Sequence, residues 1–160
     1  MPKYKNQTLS KYLNKLADKA PVPGGGSAAA LTAASAAALI SMVSRYSLGK
    51  SKTKSTEDKI KKILKENERI RKRLLTLVDL DVEAYLKVVK ARKGTAQQKK
   101  VALKAAEKVP QEICRLTYES LKTTPFLVKK GNPHLIGDVQ CAVELLLSAF
   151  NAAMVFSKQS

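Results

Sequence analysis

Residues 20–50 read APVPGGGSAAALTAASAAALISMVSRYSLGK. This passage from prolines through three glycines into an alanine-lined stretch constrains the fold more than any other part of the chain. Pro21 and Pro23 forbid continuation of whatever helix precedes them. Ser27 is a good N-cap residue and Gly49 a natural stop, so a helix from Ser27 to about Leu48 is predicted. Its side chains are small nearly all round, and Ala30, Ala34 and Ala38 keep one face free of bulk over successive turns, so that neighbouring backbones can come close. Such a helix belongs at the centre of a bundle. Ser27, Thr32, Ser35 and Ser41 interrupt the stretch, alanine adds little hydrophobicity, and no cleavage pattern follows. A cytoplasmic protein with no membrane partner is therefore expected.

The rest of the chain agrees with an all-α fold. At 160 residues and 44% hydrophobic it is long enough for one domain with a real core, spanning 1–160, and too short to suggest two. Tryptophan is absent and other aromatics are few, while Ala, Leu, Lys and Val dominate, a mix that favours helices over strands. Four further helices are predicted. Leu9, Tyr12, Leu13, Leu16 and Ala20 form one apolar stripe. From about Thr56 to Arg92, Ile60, Ile63, Ile70, Leu74, Leu77, Val78, Val82, Tyr85 and Val88 recur near a 3.5-residue spacing, as in a bundle helix. A fourth pattern from Val101 to Leu121 contains Pro110 and ends near Pro125, so a kink or a division is expected. The fifth, opening near Asp138 and reaching about Phe156, has almost no polar face. It should be buried on every side, and oligomerisation would supply the neighbours that it needs.

A formal net charge of +17 concentrates anions near the surface. The basic residues are spread along the whole chain, aromatics do not alternate with them, and no helix-turn-helix, finger or RNA-recognition signature is visible, so no specific nucleic-acid partner is expected. An anionic metabolite fits equally well. Cys114 and Cys141 lie far apart, and His134 has no Cys, His or carboxylate cluster around it, so neither a disulfide framework nor a metal site is indicated.

Three places could carry chemistry. Gly24, Gly25 and Gly26 open backbone conformations closed to other residues and let a ligand meet bare N–H groups, including those of the helix's first turn. A flexible lead-in with Ser27 as an ordinary cap explains the same residues. Asn67 and Asp81 interrupt the heptad stripe where apolar residues belong. An interior carboxylate must find a partner or do chemistry, and a buried ion pair would serve Asp81 as well as catalysis would. In KGNPHLIGD, Gly131 is a helix stop, Pro133 a turn residue, and Asp138 either the N-cap of the fifth helix or a functional acid.

The segments PVPGGGSAAAL (21–31), LVDLDVEAYLKVVKA (77–91), VPQEI (109–113) and KGNPHLIGDVQCAVELLLSA (130–149) together resemble the ordered signatures of the cyclodeaminase/cyclohydrolase family. That family includes the C-terminal domain of formiminotransferase-cyclodeaminase and stand-alone methenyltetrahydrofolate cyclohydrolases. The resemblance implies an elongated antiparallel helical bundle, a homodimer, and a tetrahydrofolate derivative, with or without a polyglutamate tail, as substrate and without a metal. It implies hydrolysis of 5,10-methenyltetrahydrofolate to 10-formyltetrahydrofolate, with formiminotetrahydrofolate cyclodeamination as the alternative. A non-catalytic folate- or polyanion-binding protein of the same fold is a further one. On this reading Asp138 is the principal acid/base and Asp81 a second carboxylate. Gly24, Gly25, Gly26 and Ser27 position the substrate, Asn132 and His134 line the same end, and Lys129 and Lys130 attract the tail.

Overall fold

The computed structural model describes residues 3–157. It contains α1 (Leu9–Ala17), α2 (Gly25–Ser47), α3 (Lys54–Ala91), α4 (Ala96–Leu121), α5 (Thr124–Lys130) and α6 (Ile136–Ser157), with 3-10 turns at Tyr4–Asn6 and Pro133–Leu135 and no strand among the described residues. Helix α2 packs most extensively on α3 and α6, and α4 closes the ring by lying against the same two helices. Small side chains make this central position tenable: Ala29, Ala30, Ala33, Ala34, Ala36 and Ala37 are all buried. Ala38 is exposed, contrary to the stripe expected from the sequence. Eight residues at 3.6 per turn carry it about 80° away from Ala30, and the buried face is continued by Ala37 instead.

On α3 the heptad stripe is buried through Ile60, Ile63, Ile70, Leu74, Leu77 and Val82, but not in its predicted continuation, where Tyr85 is 40% exposed and Val88 half-buried because α3 has passed the end of α2. Asn67, fully buried in that stripe, fixes the pairing of α3 with the end of α4. Its Nδ2 donates to the Ile63 carbonyl at 3.0 Å and to Thr123 Oγ1 at 3.2 Å, and its Oδ1 accepts from Ser120 Oγ at 2.6 Å. The chain divides at that point, between α4 and α5, with Pro125 in the first turn of α5. Pro110 does not divide it, because α4 runs continuously through that position. The loss there is a single backbone rung.

Two further expectations change. Helix α6 buries one side only, through Val139, Ala142, Leu146, Ala149 and Ala153, while Leu147 and Val155 are 42% and 57% exposed. Asp138 is its third residue, inside the first turn rather than at the cap. By length and apolarity α2 and the segment Pro133–Ser157 could each cross a membrane, but most of α2 is buried within the bundle.

Helices α2 and α6 run antiparallel. The start of α2 meets the end of α6, where Gly25 faces Phe156, and the end of α2 meets the approach to α6, where Ser47 Oγ accepts from the Asn132 N–H at 2.8 Å. These two ends are about 33 Å apart, from the 23 residues of α2 and a rise of about 1.5 Å each. Helix α3 is longer still, with 38 residues. It overshoots the start of α2 and returns as α4, forming an arm in which every residue from 83 to 109 keeps some contact with solvent.

Candidate functional site

The three glycines do not adopt the backbone conformations expected of them. Gly49 alone among the described residues has a positive φ, 75°, as the stop after α2 requires, whereas Gly24 is extended and Gly25 and Gly26 are helical. Gly24 is the N-cap, which places Ser27 inside the first turn and not at its cap. What matters at Gly25 and Gly26 is the missing side chain. A methyl group on Gly26 would collide with the carboxylate of Asp81, and one on Gly25 would lie 2.8 Å from the Phe156 ring. The bare first turn of α2 thus admits a carboxylate from α3 on one side and an aromatic ring from α6 on the other.

Asp81 occupies the space that Gly26 leaves. The Ser27 backbone amide favours its ionised form, yet burial outweighs that effect and pushes its pKa above the ordinary aspartate value. The Ser27 hydroxyl is shared with Tyr12, whose phenolic oxygen lies 2.9 Å away. Burial raises the Tyr12 pKa, with the Ser27 bond acting the other way. Two positions before Asp81 on α3, Asp79 faces elsewhere and receives the Tyr4 N–H at 2.7 Å, tying the N-terminal turn to α3. Asp79 thus spends one oxygen on the N-terminal turn while its Oδ2 is buried without a hydrogen-bond partner, and Asp81, two positions on, faces the start of α2.

Asp81 forms part of the wall of a cavity of about 230 Å³ at the base of the α3–α4 arm. Along α3 the wall continues through Tyr85, Val88 and Arg92; Leu103, Glu107 and Pro110 of α4 face it, and Phe156 closes the α6 side. It is an apolar slot with a carboxylate at its inner end and a cation at its outer end. A larger hollow of about 330 Å³ on the other side of the arm is lined by Arg73, Leu80, Glu83 and Glu112 among others. Glu112 is committed, because Arg73 binds it through both oxygens, at 2.7 and 2.9 Å, and holds its pKa below the usual range, while Glu83 is exposed. Among the described residues no group of three His, Cys, Asp or Glu side chains converges as a metal ligand set would.

The structure brings Gly24, Gly25, Gly26, Ser27 and Asp81 together at one end of the α2–α6 pair. Within one chain it does not bring Asn132, His134, Asp138, Lys129 or Lys130 there, because all five lie at the other end. Asn132 is nearly buried and occupied locally, its N–H donating to Ser47 Oγ and its Oδ1 accepting from the His134 N–H at 3.0 Å. Asp138 is half-buried, while His134, Lys129 and Lys130 are exposed. Motifs adjacent in the resemblance thus sit some 33 Å apart in the chain. Sequence reasoning missed Arg92, Glu107 and Phe156 as site residues. The one available signal was spacing, since Asp81, Tyr85, Val88 and Arg92 follow i, i+4, i+7, i+11 and share a helix face.

The sequence pattern described as formiminotransferase-cyclodeaminase matches residues 8–158. A methenyltetrahydrofolate cyclohydrolase from Methylorubrum extorquens is 37% identical over 155 residues, covering 91% of this chain and 73% of the relative. A formimidoyltransferase-cyclodeaminase from Sus scrofa is 28% identical over 88% of this chain, which spans only 28% of that protein's length. The crystal structure of formiminotetrahydrofolate cyclodeaminase from Thermotoga maritima superposes with a TM-score of 0.92 at 29% identity, over 96% of this chain and 77% of that one.

Proposed function

This chain belongs to the formiminotransferase-cyclodeaminase family, and from that premise we propose that it hydrolyses 5,10-methenyltetrahydrofolate to 10-formyltetrahydrofolate in the cytoplasm. The observation that carries the reading is the Asp81 carboxylate, desolvated and seated against the bare Gly26 backbone at the inner end of an apolar slot. The methenyl bridge between N5 and N10 is a delocalised cation. A carboxylate beside it pairs with that charge and lies where a proton must be taken from the attacking water. Water adds to the bridge carbon as Asp81 accepts one of its protons, giving a neutral tetrahedral adduct. Asp81 then returns the proton to N5 while the adduct hydroxyl ionises, the bond from carbon to N5 breaks, and the formyl group remains on N10. One proton is released per turnover. A raised pKa suits a group that must both accept and donate.

Loss of ammonia from a formimino group passes through a similar tetrahedral adduct and could use the same carboxylate. The fold match to a formiminotetrahydrofolate cyclodeaminase favours that second reaction. The 37% identity to a cyclohydrolase favours the first. The near-ultraviolet absorbance of methenyltetrahydrofolate disappears on hydrolysis, so its decay with wild type and Asp81→Asn tests the proposal. The variant is expected to lose about a hundredfold or more in kcat. Wild type that fails to accelerate decay would remove the hydrolase reading, and the formimino substrate would then be assayed.

We further read the outward faces of α2 and α6, with exposed Tyr46, Leu147 and Val155, as the contact of a homodimer. A two-fold axis crossing the middle of this antiparallel pair would set the Asn132–Asp138 turn of one copy beside the Asp81 slot of the other. In that arrangement Asp138, Asn132 and His134 of a second copy complete the polar side of the site. Lys129 and Lys130 add positive charge near it. Sedimentation equilibrium is expected to give twice the chain mass.

A further inference from the structure

We propose that Arg92 anchors the glutamate tail of the folate and so sets how far the one-carbon bridge reaches toward Asp81. The inference rests on the folate reading above and goes beyond it by naming the anchor and the direction in which the substrate lies. Arg92 is the outermost member of the stripe that begins at Asp81, and both line the same slot. Eleven residues separate them, close to three whole helical turns and about 16 Å of rise. Helical side chains lean toward the N-terminus, the long Arg further than the short Asp, so the guanidinium comes back to roughly 12–14 Å from the carboxylate. In a reduced folate, covalent lengths put the first tail carboxylate roughly 10–12 Å from the N5–N10 bridge, with one flat aminobenzoyl ring between them. The slot has matching walls. Tyr85 and Val88 of α3 and Leu103 of α4 lie between the two charged ends and offer apolar surface to that ring.

Arg92 is available for the task. Among the described residues it enters no ion pair, whereas Arg69, Arg71, Arg73 and Arg115 are each held by a glutamate. The guanidinium fork takes a carboxylate through two parallel N–H donors, which an exposed lysine cannot do. Glu107 lines the slot from the facing helix. Its carboxylate repels the tail and confines it to the Arg92 side.

The experiment compares methenyltetrahydrofolate with its tail-less counterpart, methenyltetrahydropteroate, as the ratio of their kcat/KM values. Wild type is expected to prefer the tailed substrate by about 10–100-fold, the range of a charge-assisted bidentate contact. Arg92→Ala should bring the ratio near one, Arg92→Lys should leave it between, and Glu107→Gln should widen it. A general structural defect lowers both substrates together. Equal losses on both substrates, or no preference in wild type, overturn the anchor. Binding of 5-formyltetrahydrofolate by equilibrium dialysis separates this from failure of the proposed reaction. Tail-dependent binding that Arg92→Ala abolishes in an enzyme without hydrolase activity upholds the anchor and overturns the chemistry. Binding that ignores the tail overturns the anchor whatever the activity.

Discussion

The two ends of the α2–α6 pair carry equally conspicuous motifs, and the structure treats them in opposite ways. At the end holding Gly131 to Asp138 the backbone is closed on itself: the Gly131 N–H donates to Leu127 at 2.8 Å, the Asn132 N–H to Ser47 and the His134 N–H to Asn132. At the end holding Gly24 to Ser27 a carboxylate is left beside a cavity at an energetic cost, one backbone donor failing to offset its desolvation. A joint satisfies its polar groups, and a site leaves one in tension. The difference teaches that turn chemistry in a sequence marks where a chain bends, while a desolvated carboxylate that also lines a cavity marks where a ligand can be met.

The comparison is sharpest for substitutions at the open end. Gly26→Ala drives a methyl group into the Asp81 carboxylate. It is expected to lower kcat by about a hundredfold, as removing the proton carrier does, while circular dichroism still reports the helical fold. Wild-type turnover in that variant would show that the carboxylate has somewhere else to go.

Asp138→Asn probes the other end. The proposed dimer makes this residue part of a neighbouring site, and a loss of about tenfold in kcat/KM is expected, smaller than for Asp81→Asn and growing on dilution as dimers dissociate. Activity equal to wild type would confine Asp138 to its place in the first turn of α6, where a carboxylate suits the helix dipole. The contrast between the ends would then be complete within one chain.

The smallest effect is thermal. Because the folded pKa of Asp81 is raised, folding favours its protonated form, and the ionised carboxylate detracts from stability increasingly as pH rises above the ordinary aspartate value and fully once it exceeds the raised one. Asp81→Asn should therefore melt a few degrees above wild type at pH 8. The gap should close as pH falls through the raised pKa and vanish near pH 3, where Asp is protonated in both states. Catalysis runs the opposite way, since the ionised form takes the proton, and kcat should fall as the solution is acidified through the same ionisation. Glu68 provides an internal contrast. Arg71 holds its pKa down to about 2 against the opposing effect of burial, so its stabilisation is present above the ordinary glutamate value and is lost only in strong acid.

Much of the bundle was legible because periodicity is a local property. The stripe from Ile60 to Val82 and the burial of Asn67 within it follow from spacing alone, as does the suspicion attached to Asp81. Boundaries were harder. Ser27 was the natural cap, but glycine also caps a helix, and Gly25 and Gly26 accept helical angles, so α2 starts earlier and the Ser27 hydroxyl turns to Tyr12. Ala38 slipped from the predicted face because a four-residue repeat drifts from a 3.6-residue helix within two turns. The wall formed by Arg92, Glu107 and Phe156 comes from three helices whose mutual placement no local pattern encodes. The separation of Asp138 from Asp81 was hidden for the same reason, since chain order says nothing about which end of a long rod a motif occupies.

The solvent-accessible arm formed by α3 and α4 has a bearing on how such enzymes diversify. Asp81 stands beside Val82, the last fully buried residue of α3, and Arg92 lies beyond it, where every side chain keeps contact with solvent. If the proposed roles hold, changes in the arm alter which molecules are admitted while the carboxylate stays in register with the core. Recognition and chemistry are then open to selection almost independently.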